Sequence, residues 1–285
     1  KRFIEKSVLP LFPESSFIMA YGSGVFTQSS YSKDEKPVVD LIVGVKDSKQ
    51  WHKENITRNS HHYSFLKYLP NSELWISKLQ KDIPARIYFN TLVPVDDMII
   101  KYGVIEESDL IKDLNEWSEF YCAGRLQKPS LILKSTDDID QAQENNLTSA
   151  LSLSCLLLPD EFTKRELFMK LASLSYLGDP RMKYSFENPK KVSNIVDKNY
   201  EYFDEWYKSV INEFKNDNII LYKEKEEIFH SFIHDEETRK KLIDKLPNNL
   251  KQSPNASTLQ LTNSLSKIVQ HSSQKQTLKG FLTAG

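Results

Sequence analysis

In the first hundred residues the apolar positions gather into four short runs: SSFIMAY (15–21), PVVDLIVGV (37–45), ARIYFNTLV (85–93) and MIIKYGVI (98–105). Each is rich in β-branched and aromatic residues and is bounded by Pro, Gly, Asp or Ser, so four strands are expected. Between the second and third runs, residues 48–69 carry helical material with His62, Phe65, Leu66 and Leu69 recurring on one face. A helix is expected over 107–124, starting at Ser108 and stopping at Gly124. Beyond RLQKP the pattern turns helical. Residues 138–159 align Leu147, Ala150, Leu151, Ser154 and Leu158, and residues 162–178 open with a capping box from Thr163 to Glu166 and close at Gly178. A long helix over 188–214 and a strand over 218–222 follow. The stretch 247–257 reads as a linker, and 258–273 as an amphipathic helix with Leu261, Leu265, Ile268 and Val269 on one face.

This order predicts an α+β protein whose seam lies near 120–130. Residues 1–122 form a mixed layer of sheet and helix, 123–235 a mostly helical block that suits a small winged-helix-like domain, and 236–285 a polar C-terminal region.

Composition narrows the function. The 285 residues hold 38 Lys and Arg against 39 Asp and Glu, a net charge of −1, which speaks against nucleic acid as a partner. Cys122 and Cys155 both sit in apolar surroundings with no metal-ligand spacing, so neither a disulfide framework nor structural zinc is expected, and a reducing compartment fits. Nowhere does an apolar run reach the roughly 18 residues of a membrane span. The chain opens on KRFIEK without an initiator methionine, as after removal of a presequence.

The candidate chemistry starts at Gly22-Ser23-Gly24, directly after the first strand. Glycines around a serine at a strand end can present backbone N–H groups and a hydroxyl to a polyphosphate; the plainer account is a tight turn. Asp40, inside the apolar run VVDLIVGV, raises the stakes, because a carboxylate there needs a cation or a hydrogen-bonding partner. A Gly-Ser turn beside a strand Asp is the layout of the nucleotidyltransferase fold, in which carboxylates hold Mg²⁺ against nucleotide phosphates. The second carboxylate expected two residues on is here Ile42; Asp113 and Asp179 are the candidates to replace it. Lys101 in mid-strand calls for an anionic partner unless it snorkels to the surface. Arg125 and Lys128, at the seam, suit phosphate binding or an interdomain salt bridge. Asp179 and Arg181 can pair with each other, and His52 and His62 read as helix caps more readily than as nucleotide contacts.

Together, YGSGVFTQ (21–28), VDLIVGV (39–45), WHKEN (51–55), HYSFLK (62–67), IKYGVI (100–105), AGRLQKP (123–129), LSYLGDPRM (174–182) and LKGFLTAG (278–285) resemble the mitochondrial CDP-diacylglycerol synthases once named for translocator assembly and maintenance. The resemblance runs the whole length in order. It implies Mg²⁺-dependent conversion of CTP and phosphatidic acid to CDP-diacylglycerol and pyrophosphate, serving mitochondrial phospholipid and cardiolipin synthesis. It implies a nucleotidyltransferase domain followed by a winged-helix-like domain, held peripherally on the matrix side of the inner membrane. Gly22, Ser23, Gly24, Arg125 and Lys128 would bind nucleotide, Asp40 the metal, and Asp40 with Lys101 would be catalytic. Arg181 and Lys279 are weaker candidates for a substrate phosphate. The family usually continues past TAG with a basic amphipathic piece. The apolar face of 258–273 is a candidate membrane contact. Two other readings remain: a nucleotidyltransferase with a non-lipid acceptor, and a non-catalytic CTP-binding scaffold.

Overall fold

The protein is described by a computed structural model covering residues 2–22, 25, 38–179, 190–251 and 256–283. It is α+β and divides into two compact units. Unit 1 takes Lys1–Ile111, Ser130–Asp140 and Gln274–Gly285, and unit 2 takes Lys112–Pro129 and Gln141–Ser273. The units are not consecutive blocks of chain. The reason is β5 (Leu131–Lys134), a strand missed in the sequence, which returns to pair with β1.

Unit 1 is built on a five-stranded sheet in the order β3-β4-β2-β1-β5. Its strands are β1 (Phe17–Tyr21), β2 (Val38–Val45), β3 (Ile87–Val95), β4 (Met98–Glu106) and β5. The β2–β4 pair is parallel and the other pairs are antiparallel. Alternation sorts the side chains of β2. Val39, Leu41, Val43 and Val45 join Ile18, Ala20, Ile100, Tyr102 and Val104 in a core closed by Ile4, Val8, Phe12 and Trp51. Asp40, Ile42 and Gly44 alternate to the opposite face.

The 48–69 stretch is one helix, α1 (Ser48–Arg58), followed by two short helical turns at Ser60–His62 and Phe65–Tyr68. His62 and Leu66 point inward, but Phe65 and Leu69 are exposed, because the single helical face does not continue past Asn59. A buried polar network ties α1 to its surroundings. His52 Nε2 meets Gln80 Oε1 of α2 (Ser72–Asp82) at 2.9 Å and its Nδ1 meets the Tyr63 hydroxyl at 2.8 Å. Asn55 donates to Tyr63 and Tyr102, and His62 Nδ1 lies 2.9 Å from the Tyr102 hydroxyl. With Gln80 presenting its carbonyl oxygen, the proton of His52 sits on Nε2. The two histidines are therefore parts of the fold.

Unit 2 differs from the sequence reading where backbone signals outweigh periodicity. The expected 107–124 helix is two, α3 (Glu107–Glu116) and α4 (Tyr121–Leu126), separated by left-handed Trp117 and Phe120. Asp113 makes this break. Its Oδ1 accepts from the N–H groups of Glu119 and Phe120, and its Oδ2 from those of Cys122 and Ala123. Gly124 is consequently inside a helix and not its stop. A Cβ there would lie 2.8 Å from the Ser175 Cβ, so close approach explains the glycine.

Beyond α5 (Asp137–Leu157) comes the expected capping box of α6 (Lys164–Ser173), with Thr163 and Glu166 bonding reciprocally. The expected 188–214 helix is interrupted at Asn199 into α7 (Lys191–Lys198) and α8 (Tyr200–Asn216). Phe203 and Tyr207 of α8 are fully buried, Phe203 stacking on Phe168 at 5.3 Å. A three-stranded sheet runs β6 (Glu161–Thr163), β8 (Ile228–Ser231) and β7 (Ile220–Lys223) in that order. Then come α9 (Glu236–Asp244) and α10 (Thr258–Thr283). In α10, Leu261, Leu265 and Val269 are buried, so the face expected to meet a membrane is already used by the folded chain.

Two tests follow from this packing. Asp113→Ala strands four backbone donors and is expected to cost about 3 kcal/mol or more in denaturant unfolding. A change below about 0.5 kcal/mol would contradict the clasp. Burial pushes His52 and His62 down from 6.5 to about 4, so between these values the unfolded chain binds more protons than the folded one. The histidine contribution should be complete above about pH 7, and stability should fall as pH drops from 6.5 toward 4, by up to about 1.4 kcal/mol per pH unit per histidine. Unfolding midpoints across pH 4–8 check this, and His52→Gln should make the fall shallower.

Candidate active site

The sheet register assembles the first part of the site. Tyr21, at the end of β1, stands opposite Asp40 on β2, and Asp40 stands opposite Lys101 on β4. The three share the face away from the Trp51 core. Asp40 and Lys101 are half-buried, with side-chain exposures of 28% and 38%, and Lys101 Nζ lies 3.9 Å from Asp40 Oδ1. The ammonium also sits 4.8 Å from the centre of the Phe89 ring on β3, a cation–π contact that holds it over the sheet. Lys101 therefore does not snorkel away to solvent; it faces the carboxylate in mid-sheet.

Gly22 turns the chain immediately after β1 with φ of +82°, and the Val25 N–H returns to the Gly22 carbonyl at 3.3 Å. A Cβ on Gly22 would lie 3.2 Å from Asp40 Oδ2. The left-handed backbone disfavours a side chain there, and a Cβ would press on the carboxylate. The group that comes so close to the turn is thus the Asp40 carboxylate itself. Ser23 and Gly24 lie outside the described residues, as does Arg181.

Ile42, two residues beyond Asp40, is fully buried. That position is core, so no second carboxylate could occupy it without large cost. Neither replacement candidate stands beside Asp40 in the same unit. Asp113 is a correction to the sequence reading: both its oxygens are taken by four amides in unit 2, and burial raises its pKa against their pull. Asp179, also in unit 2, is 3% exposed and its N–H bonds the Tyr176 carbonyl at 3.2 Å. Among the described residues, no group of three His, Cys, Asp or Glu is arranged to hold a metal.

Arg125 and Lys128 form a second constellation, within unit 2. The Arg125 guanidinium stacks on the Tyr121 ring at 3.7 Å and donates to the Tyr121 carbonyl at 2.8 Å. Lys128 Nζ donates to the Gly124 carbonyl and to Ser175 Oγ at 2.7 Å, and lies 5.5 Å from the Tyr176 ring. Desolvation, then the charges of Arg125 and Lys191, push Lys128 down to about 7. Lys191 stands 5.6 Å from the same Tyr176 ring. The sequence reading missed Lys191; its only signal was the Lys190-Lys191 pair at the start of α7. A concentration of positive charge around two tyrosine rings is suited to a phosphate or another anion.

Lys279 is the other correction. It is 1% exposed, and its ammonium donates to the carbonyls of Ile83 and Ile87, each at 3.1 Å, and more weakly to that of Gln80. It caps the end of α2 and the start of β3 from the last turns of α10, where an anion contact was expected.

A sequence model of the family described as mitochondrial phosphatidate cytidylyltransferase matches residues 5–260. Proteins named phosphatidate cytidylyltransferase, mitochondrial, are similar to the chain across a wide range of organisms. The one from Schizosaccharomyces pombe is 45% identical over 189 residues, 66% of this chain and 48% of that protein. The Danio rerio protein is 42% identical over 213 residues (73% and 62%), and the Homo sapiens protein 41% over 212 residues (73% and 46%). The matched part of the chain thus spans only about half to two thirds of these relatives' own length. With the Gly22 turn, Asp40 and Lys101 inside the matched region, the chain belongs to the mitochondrial phosphatidate cytidylyltransferase family.

Proposed function

We propose that the protein transfers CMP from CTP to phosphatidic acid, releasing pyrophosphate and forming CDP-diacylglycerol. The observation that carries this reading is the Gly22–Asp40–Lys101 constellation on one sheet face of a chain in this family. A phosphate oxygen of phosphatidic acid attacks the α-phosphorus of CTP. The new P–O bond forms as the bond to the bridging oxygen breaks, and that oxygen leaves on pyrophosphate with the electron pair. The transfer asks little covalent help of the protein, so positioning and charge dominate. The Gly22 turn brings backbone close to the phosphates with no side chain in the way. Lys101, held by Asp40 and Phe89, lends positive charge to the oxygens that gain charge at the transition state.

The donors fit Mg²⁺, which is commonly bound through one or two carboxylates with substrate phosphates and water filling the rest. Asp40 would supply the carboxylate, its Oδ2 facing the bare Gly22 turn. When bound, the ion would neutralise phosphate charge. Arg125, Lys128 and Lys191 would hold further phosphate charge on unit 2. The Gly turn after β1 and the Asp on β2 of a mixed sheet support a nucleotidyltransferase fold for unit 1. Helices α6 and α8 around a small antiparallel sheet support a winged-helix-like unit 2. The relatives' names support a mitochondrial site of action. No described helix is long and apolar enough to cross a membrane, which supports peripheral attachment; we place it on the matrix side of the inner membrane.

Fully buried Ile42 favours a second reading, a CTP-binding scaffold without turnover. A third changes the acceptor to a non-lipid, and labelled CTP offered with non-lipid acceptors would reveal it.

Pyrophosphate release with CTP, Mg²⁺ and phosphatidic acid vesicles distinguishes these readings. Asp40→Ala is expected to lose at least about 100-fold in rate, and Lys101→Met a comparable amount. Retained activity in Asp40→Ala would rule out the role given to this carboxylate, and CTP binding without release by the unaltered protein would favour the scaffold. Gly22→Ala should lower activity while costing only about 1 kcal/mol of stability. Because Lys128 is charged only below about pH 7 in the free protein, kcat/KM for CTP should decline as pH rises through that value. Lys128→Arg should remove the decline.

A further inference from the structure

One surface of unit 1 has no part in this chemistry. Over residues 65–75, Phe65 (60% exposed), Tyr68 (80%), Leu69 (40%), Leu74 (37%) and Trp75 (52%) all face outward. The same stretch is anchored from within: Leu66 and Ile76 are buried with Tyr63 and Tyr88. On α2 the helical period sends Ile76, Ser77 and Gln80 inward and leaves Leu74, Trp75 and Lys78 outside. Scattered exposed apolar residues are ordinary, but five large ones within eleven positions mark an interaction surface.

Lysines accompany the rings. Lys67 Nζ lies 5.2 Å from the Tyr68 ring centre and Lys78 Nζ 5.7 Å from that of Trp75. Beside them is a cavity of about 440 Å³ whose lining includes Leu74, Lys46, Lys49, Lys78 and Lys81. Of the carboxylates there, Glu106 is engaged by Lys81 at 2.7 Å and by Ser48, and Asp47 accepts from the Gln50 N–H. Asp82 is the third.

We propose that this surface docks the protein on an anionic bilayer, with Phe65, Tyr68 and Trp75 at headgroup depth and the lysines of the groove on lipid phosphates. Two features choose a bilayer over a protein partner. Amphipathic rings flanked by long cationic side chains are what the membrane interface favours, whereas the cores of protein interfaces are depleted in lysine. The groove adds charge complementarity to anionic headgroups. The inference rests on the proposed reaction only in that phosphatidic acid is a bilayer lipid. It also replaces the α10 face, which is buried.

The test uses the full chain with vesicles of phosphatidylcholine containing phosphatidylglycerol, an anionic lipid that is not the proposed substrate, beside vesicles of phosphatidylcholine alone. The chain should sediment with the anionic vesicles, less so at high salt. Its tryptophan emission should shift to the blue through Trp75, and the shift should be lost in Trp75→Ala, since Trp51 and Trp117 are buried and Trp206 is half-buried with its indole N–H held by the Leu126 carbonyl. Tyr68→Ser with Trp75→Ala should weaken vesicle binding by about tenfold. Lys46→Glu with Lys78→Glu should do likewise and flatten the salt dependence. Unchanged thermal unfolding midpoints show that the variants fold. Transfer to a short-chain, water-soluble phosphatidate reports the chemistry separately and should be unaffected by either pair. Undiminished binding by both double variants would overturn the proposal. So would failure of the unaltered chain to bind anionic vesicles together with a dimer, seen by gel filtration, that Trp75→Ala dissolves.

Discussion

Everything proposed for the site depends on keeping a carboxylate in the middle of an apolar sheet. Asp40 follows Val39 and precedes Leu41, both in the core, and only the strict alternation of β2 turns it to the other face. A slip of one residue would bury the carboxylate among Ile18, Ala20 and Tyr102. The register is held on both sides, antiparallel to β1 and parallel to β4, so Tyr21 and Lys101 arrive opposite Asp40 as a consequence of packing. The cost of holding a half-buried charge is met locally by Lys101, which is steadied in turn by the Phe89 ring.

Unit 2 handles charge by a different rule. Asp113 is nearly inaccessible and stable because four amides point at it, which consumes it as a structural group. Lys279 in unit 1 is its cationic counterpart, satisfied by carbonyls. Arg125, Lys128 and Lys191 instead gather positive charge around Tyr121 and Tyr176, and burial, followed by the neighbouring charges, pushes Lys128 toward neutrality. A concentration of cationic side chains suits a phosphate, which is why this cluster, and not Asp113 or Lys279, remains in the proposed chemistry.

What could be read from the chain was whatever local pattern dictates. The four N-terminal strands, the α6 capping box and the Gly22–Asp40–Lys101 set follow from period-two runs, a Thr-to-Glu spacing and charges out of place in apolar surroundings. Strands β5, β6 and β8 are three or four residues long and carry little periodicity, so nothing local announced them. The break between α3 and α4 was hidden because its cause, a side chain capping amides six to ten positions ahead, leaves the helical apolar pattern intact. Lys279 was misread for a similar reason: the carbonyls it caps are as much as 199 positions away in sequence. The apolar face of 258–273 looked available because a sequence does not say whether such a face meets lipid or its own fold.

In the proposed reaction this sheet face directs attack on the α-phosphorus of CTP by a lipid phosphate. The most direct measurement follows two labels through one incubation of the purified chain with phosphatidic acid vesicles and Mg²⁺. Label in the α-phosphate of CTP is expected to pass to a chloroform-soluble product, while label in the γ-phosphate appears only in pyrophosphate. Label from the α-phosphate that stays in water-soluble CMP, or γ-label released as inorganic phosphate, would contradict the proposed reaction.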